Sequence, residues 1–175
     1  MADLRVIAMI LALVTAGILG GCGSADAQST PSGQVSGMTA PAGWQDLPSV
    51  AAAARMAAGA GGVTIDGVEA WGEPAMGCYA IGIALHGSGG RVDDLTAQVL
   101  DGIAAEKIDV SEVVKPASAD GVLALTLERK PYHGRLRARL GDGRITAFAC
   151  VANQREPLAC ETACTPLIES WSRNK

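Results

Sequence analysis

Cysteine is the residue type with the most distinctive chemistry in this chain of 175 residues, which contains five of them. One of them, Cys22, follows a short apolar run near the N-terminus, and the other four lie in the remainder of the chain. A thiolate is a nucleophile and a metal ligand, and two thiols can oxidise to a disulfide. The surroundings of the two groups differ, which predicts modification at Cys22 and crosslinking among the others.

The N-terminal segment has the layout of a secretory signal. Arg5 and the free amino terminus supply positive charge, and residues 6–19 are apolar except for Thr15 and Gly17. That run is shorter than the about 20 residues that a membrane-spanning helix needs. We therefore expect residues 1–21 to be a signal peptide that is absent from the mature protein.

Small residues lead directly to the first cysteine, in the order Leu19-Gly20-Gly21-Cys22. This order resembles the lipobox of bacterial prolipoproteins. The resemblance implies that the Cys22 thiol receives a diacylglyceryl group and that Cys22 becomes the new N-terminus. Such an anchor holds a protein at a bilayer without spanning it. It implies a lipoprotein of the bacterial cell envelope. The residue after the lipobox cysteine is Gly23 and not Asp, which resembles the enteric sorting signal for the outer membrane. The resemblance implies an outer-membrane lipoprotein whose domain faces the periplasm or the cell surface.

Composition divides the rest of the chain into a tether and one domain. Residues 22–43 are rich in Ser, Gly, Ala, Thr and Pro, and such a segment cannot bury enough apolar surface to fold. Residues 44–175 are long enough for a single domain with its own core. The formal net charge of −4 gives no support for nucleic acid as a partner.

Hydrophobic periodicity predicts an α+β domain, in which helices pack on an antiparallel sheet. The predicted order is helix, two strands, helix, three strands and a final helix, and the short turns between consecutive strands favour antiparallel pairing. The predicted helices cover residues 50–60, 92–107 and 157–171, and the predicted strands cover residues 63–71, 78–85, 122–127, 135–140 and 144–152.

The end of the chain carries a second resemblance. The hairpin over residues 135–152 and the final helix, which ends Ile168-Glu169-Ser170-Trp171, are similar to the Mog1/PsbP-like α/β/α sandwiches, which include bacterial lipoproteins. The resemblance covers most of the mature domain and implies that type of layered fold. The cysteines of the domain are not part of that family's general pattern.

The four domain cysteines predict two disulfides, because an exported chain meets oxidising conditions. They are Cys78, Cys150, Cys160 and Cys164. The last two lie on one face of the predicted final helix, which points at the sheet, and a bond between them has poor geometry. Two pairings remain, each joining one helix cysteine to Cys150 and the other to Cys78. We favour Cys150–Cys160 with Cys78–Cys164, because a short loop joins the last strand to the helix.

The turn at residues 141–143, Gly-Asp-Gly, determines which face of the hairpin carries its charges. A three-residue loop places Leu136 opposite Phe148, whereas a two-residue loop pairs Arg137 with Phe148. The three-residue loop is predicted because it separates charge from core. It sends three arginines to the outer face: Arg135, Arg137 and Arg139. They are candidate anion-binding residues for lipid headgroups, a polyanion or an acidic partner.

Two chemical interpretations compete with a binding role. Cys160 and Cys164 have the CxxxC spacing of some copper-delivery proteins, with His86 or His133 as a third ligand. Residues 85–90, Leu-His-Gly-Ser-Gly-Gly, resemble the oxyanion segment of α/β-hydrolases, but the GxSxG nucleophile motif is absent. We therefore expect no catalytic residue, no metal and no cofactor.

The sequence thus predicts a cell-envelope lipoprotein of a non-catalytic binding or structural type. Its expected partners are the membrane, through the lipid anchor, and an envelope protein or polyanion. The alternative is a periplasmic thiol-redox or copper-handling lipoprotein that uses Cys160 and Cys164.

Overall fold

Seven antiparallel strands form the sheet that organises this chain in its computed structural model. The structure describes residues 35, 37–60, 64–86, 92–105, 107–116, 121–130, 132–141, 144–153 and 157–173. The predicted signal peptide, Cys22 and residues 23–34 of the predicted tether lie outside the described residues. Within the described part of the chain, no helix combines the length and the apolar character needed to cross a bilayer.

The strands and helices follow the predicted order, with two additional strands. The strands are β1 (Gln45–Asp46), β2 (Ile65–Glu73), β3 (Cys78–His86), β4 (Asp109–Val114), β5 (Val122–Arg129), β6 (Tyr132–Gly141) and β7 (Arg144–Asn153). The helices are α1 (Pro48–Ala60), α2 (Val92–Ala105) and α3 (Pro157–Arg173). The prediction of helices on an antiparallel sheet is confirmed, and the sheet makes up most of the domain.

The order of strands across the sheet is β1-β2-β3-β7-β6-β5-β4, and every neighbouring pair is antiparallel. The last strand, β7, is therefore inserted at the centre, between β3 and β6. The two strands that the sequence does not predict, β1 and β4, are the two edges. Most of their residues are exposed, so they carry no alternation of buried and exposed positions.

The larger core lies on one side of the sheet, which we call the front face. Helices α1 and α2 cover it, and Ala54, Val99 and Ile103 are their most deeply buried residues. Alternate residues of the central strands supply the sheet side of this core, including Val68, Ile81, Leu125, Leu136 and Ile145. These positions alternate along each strand with residues that face the other side of the sheet.

The opposite side of the sheet, the back face, is covered by α3. Trp171 of α3 stacks on Phe148 of β7, and Phe148 in turn contacts Trp71 of β2, each pair with ring centroids 6.4 Å apart. Ala80 of β3 and Ile168 of α3 belong to the same cluster. Helical layers therefore cover both faces of the sheet.

Residues before Trp44 also pack on the back face. Met38 is only 5% exposed and belongs to the same cluster as Trp71. The amide nitrogen of Val35 donates a hydrogen bond to Oε2 of the buried Glu69, at 3.2 Å. Packing on the sheet therefore begins at least as early as Met38, ahead of the Trp44 at which the sequence places the start of the domain.

The register of the β6–β7 hairpin differs from the predicted one. Gly141 pairs with Arg144, which pairs Arg137 with Phe148 and Arg135 with Cys150. The predicted three-residue loop is therefore wrong, and the arginines share a face with Phe148. That prediction assumed one covered face of the sheet. In fact both faces are covered, and β6 lies at the rim of the area under α3, where long arginine stems can pack while their heads reach polar groups.

All four domain cysteines form disulfides, but the favoured pairing is wrong. The bonds are Cys78–Cys160 and Cys150–Cys164, with Cα atoms 5.4 Å and 5.7 Å apart. The arrangement follows from Cys78 pairing with Ala152 across β3 and β7. Because α3 runs back along β7 from that end, its first cysteine meets Cys78.

The spacing along the two elements supports this pairing. The four residues from Cys160 to Cys164 correspond to about 6 Å of helix rise. The two residues from Ala152, beside Cys78, back to Cys150 correspond to about 6.6 Å of strand. The two helix cysteines are therefore separated by about the same distance as their two partners on the sheet, so both bonds can form.

Replacing Cys78 and Cys160 together (Cys78→Ala, Cys160→Ala) should destabilise the domain more than replacing Cys150 and Cys164 together. The first bond spans 82 residues and the second spans 14, and chain-entropy arguments put the difference at about 1.5 kcal/mol. Unfolding in urea, followed by tryptophan fluorescence, measures it. A larger loss for the Cys150 and Cys164 pair would contradict the assigned bonds.

Candidate functional site

The three candidate arginines lie in a row on the back face, beside α3. Arg135, Arg137 and Arg139 occupy alternate positions of β6, so successive side chains start about 6.6 Å apart. All three are half-buried. Their positions relative to α3 differ, and each guanidinium consequently has a different role.

Arg139 binds the C-terminal end of α3. Its Nη2 donates hydrogen bonds to the carbonyl oxygens of Trp171, at 2.8 Å, and Ser172, at 2.9 Å. Its Cζ lies 4.5 Å from the centre of the Trp171 ring, a cation–π contact. The last carbonyls of a helix have no partner within the helix and carry its partial negative charge. Burial lowers the pKa of Arg139, and these carbonyls and the ring compensate the buried charge.

Arg135 lies beside the second turn of α3. Its Nη1 donates to Oγ1 of Thr165 at 3.4 Å, and its Nη2 lies 3.7 Å from Oε1 of Glu161. Nε2 of His133 lies 3.8 Å from the same glutamate oxygen. These side chains line a small pocket next to the Cys150–Cys164 disulfide. Arg135 is therefore directed at the helix, and the predicted outward orientation is wrong for it and for Arg139.

Arg137 lies between the other two and contacts its own strand. Its Nη1 donates to the carbonyl oxygen of Leu136 at 3.0 Å. Burial lowers the pKa of Arg137, the positive charge of Arg135 lowers it further, and the negative charge of Glu112 acts in the opposite direction. Of the three guanidiniums, Arg137 is the one that the structure does not place against α3.

The back face continues beyond Arg137 onto the two strands that α3 does not cover. Ala124 and Thr126 of β5 are half-buried, and Val114 and Glu112 of β4 are exposed. Thr126 Oγ1 donates to Glu112 Oε2 at 3.1 Å. Together with Arg137 these residues form a surface that we call the arginine shelf. It is a cationic side chain bordered by small and apolar groups, with one carboxylate at its outer edge.

The arrangement required by the copper-handling alternative is not present among the described residues. Cys160 and Cys164 are bonded to Cys78 and Cys150, so neither sulfur is a free thiolate. His86 lies at the opposite end of β3 from Cys78, about 26 Å away along an extended strand. Among the described residues, no group of three His, Cys, Asp or Glu side chains could hold a metal ion.

A polar cluster that the sequence did not single out surrounds Asp66. Its Oδ1 lies 2.7 Å from Nδ1 of His86, and its Oδ2 lies 3.2 Å from Nε of Arg144. His86 and Arg144 are paired across β3 and β7, which explains their convergence. The side chains of His86 and Arg144 are mostly exposed. Ion pairs at such exposed positions contribute little to the free energy of folding. Ser88, in the hydrolase-like segment, lies outside the described residues.

No protein-family model matches this chain, and no curated protein is similar enough in sequence to count as a relative.

Replacing Arg139 by methionine should destabilise the domain by about 1–3 kcal/mol, because two helix carbonyls and the Trp171 ring lose their cation. Arg173→Met is the matched control, since Arg173 is an exposed cation in the same last turn of α3. It should change stability by less than about 0.5 kcal/mol. Urea unfolding with the disulfides intact measures both. Equal losses in the two variants would show that Arg139 acts only as a general positive charge near the helix end.

Proposed function

We propose that this protein is a lipid-anchored domain of the bacterial cell envelope that binds a partner without catalysing a reaction. The observation that carries the proposal is that Cys78, Cys150, Cys160 and Cys164 all form disulfides between α3 and the sheet. Structural disulfides of this kind persist in oxidising compartments. The secretory layout of residues 1–21 and the lipobox-like approach to Cys22 indicate the same destination.

The first described residues of the chain pack on the back face. Val35 is bound to Glu69 on the back face and Met38 is buried beside Trp71. The segment that would link Cys22 to the domain therefore reaches it on the back face. The front face, covered by α1 and α2, is on the other side of the sheet. On this proposal the anchored end and the arginine shelf share one side of the molecule.

The arginine shelf is the proposed binding surface, and the proposed partner there is an anionic group of another envelope component. The positive form of Arg137 is disfavoured by burial and by Arg135. An anion placed over it would supply a charge-assisted hydrogen bond and restore part of the lost solvation. Arg135 and Arg139 are bonded to α3, so they contribute positive electrostatic potential, while Arg137 makes the direct contact with the anion.

Replacing Cys22 by serine should release the protein from the membrane. The wild-type chain, expressed in a bacterium with its own signal, should fractionate with membranes and yield an N-terminal peptide that begins at an acylated Cys22 in mass spectrometry. Cys22→Ser should lose the acyl mass and move to the soluble fraction, whereas the neighbouring control Ser24→Ala should not. A wild-type protein recovered unacylated, with residues 1–21 intact, would refute the anchor.

Thiol counting on the same material tests the compartment separately. The four domain cysteines should react with maleimide only after reduction, because both pairs are bonded. Two reactive thiols before reduction would instead support the thiol-redox or copper-handling alternative.

Replacing Arg137 by glutamine should weaken binding to a polyanion roughly tenfold, the effect of one charge-assisted hydrogen bond. Heparin serves as the probe, and the affinity is measured by titration at fixed ionic strength because such binding is salt-dependent. Lys130→Gln is the matched control: it removes the same charge from an exposed residue at the end of β5, outside the shelf. Equal weakening by both variants would mean that net charge, and not the shelf, determines the binding.

A further inference from the structure

The back face has a step where the arginine shelf begins. Helix α3 lies over the centre of the sheet, with disulfides to β3 and β7 and hydrogen bonds from arginines of β6. Strands β5 and β4 continue beyond it for two strand spacings, about 10 Å. A helix with its side chains is about 10–12 Å across, and stacked sheets lie about 10 Å apart. A second sheet laid on the shelf would therefore lie beside α3 at about the same height.

The arginine shelf carries charges of both signs in two neighbouring rows. Strand pairing places Arg137 of β6, Ala124 of β5 and Val114 of β4 in one row across the sheet. Thr126 and Glu112 lie in the next row, about 6.6 Å away along the strands. The cation is therefore at the inner edge of the shelf, toward α3, and the carboxylate is at the outer edge.

This charge pattern favours a partner that presents both signs in the reverse order. An extended polyanion is attracted to Arg137 but repelled by Glu112, so it matches only part of the shelf. A second copy of the chain, turned about a two-fold axis, presents the same pattern reversed. Each copy then brings its carboxylate toward the guanidinium of the other, so the charges are matched twice.

Val114 supplies the apolar part of this surface. It is 51% exposed, and its neighbour Val113 is 42% exposed. Val114 pairs with Ala124 on the back face, whereas Val113 pairs with Leu125, which belongs to the core of the front face. A two-fold axis that runs along the strands between β4 and β5 would lay Val114 of each copy on Ala124 of the other. That contact would remove exposed apolar surface from water.

We propose that the arginine shelf binds a second copy of this chain, with the two back faces stacked and Arg137 of each copy paired with Glu112 of the other. The proposal rests on the proposed function, because it uses the same surface and identifies the anionic group as a carboxylate of the second copy. The shelf is only two strand spacings wide, so the buried area is smaller than that of permanent dimers. The dimer is therefore weak and forms at high protein concentration.

Sedimentation equilibrium of the full wild-type chain tests the association. The chain is solubilised in a neutral detergent that is density-matched to the solvent, so that bound detergent does not contribute to the buoyant mass. The weight-average mass should rise from one chain towards two as the protein concentration increases. A mass that stays at one chain at every concentration would refute the dimer. Heparin binding through Arg137 in that same preparation would show that the proposed function holds without it.

Two variants of β4 locate the contact. Val114→Glu should weaken the association at least tenfold, because it buries a charge at a contact that the dimer makes twice. Val113→Glu is the matched control, since the same substitution on the opposite face of the strand should leave the association unchanged. Both valines are exposed in the single chain, so neither variant should prevent folding. Equal weakening by both variants would indicate pairing through the edge of β4 and would overturn the stacked arrangement.

A charge exchange tests the paired residues. Arg137→Glu alone and Glu112→Arg alone should each weaken the association at least tenfold, because like charges then face each other. The double variant should recover most of the lost affinity, since the same pairs form again with reversed sign. Near-ultraviolet circular dichroism checks that each variant is folded. A folded double variant that associates no better than the single variants would overturn the assigned pair.

Discussion

The attachment of α3 to the sheet is the constraint on which the back face depends. The helix contains Pro166 in its interior, and a proline there removes a hydrogen bond of the helix. Contacts with the sheet hold this helix near both of its ends. Cys160 and Cys164 fix its first turns covalently, and Arg139 binds its last carbonyls. Trp171, at that same end, is 1% exposed and packs on Phe148.

The position of α3 also determines what the arginines of β6 do. A helix that runs back along β7 covers the centre of the sheet and ends at β6, so the row of arginines lies along its edge. Arg135 and Arg139 meet polar groups of the helix, while Arg137 borders the uncovered strands β5 and β4. A shift of β6 by one residue would move all three arginines to the front face, beside Leu125 and Ile145, and would move Leu136 to the back face.

The sequence predicted the parts of this fold that have a local signal. Alternation of apolar residues located the five inner strands, and helical spacing located α1, α2 and α3. The edge strands β1 and β4 lack that signal because they are exposed on both sides. The cysteine pairing and the hairpin register failed for a different reason. The cysteine pairing depends on the insertion of β7 beside β3, a long-range contact that no local pattern contains. The hairpin register depends on α3 covering the second face of the sheet.

Half-buried cations are the recurring electrostatic feature of this acidic chain. Taking a guanidinium out of water is unfavourable unless acceptors replace the water, and the fold provides them unequally. Arg139 has two carbonyl oxygens and an aromatic ring, and Arg135 has Thr165 and Glu161. Arg137 has one backbone carbonyl, and Nη1 of Arg129 has no acceptor among the described residues. Acceptors are therefore more numerous at Arg139 and Arg135, which contact α3, than at Arg137 and Arg129. An anion from outside the chain would complete the bonding of Arg137.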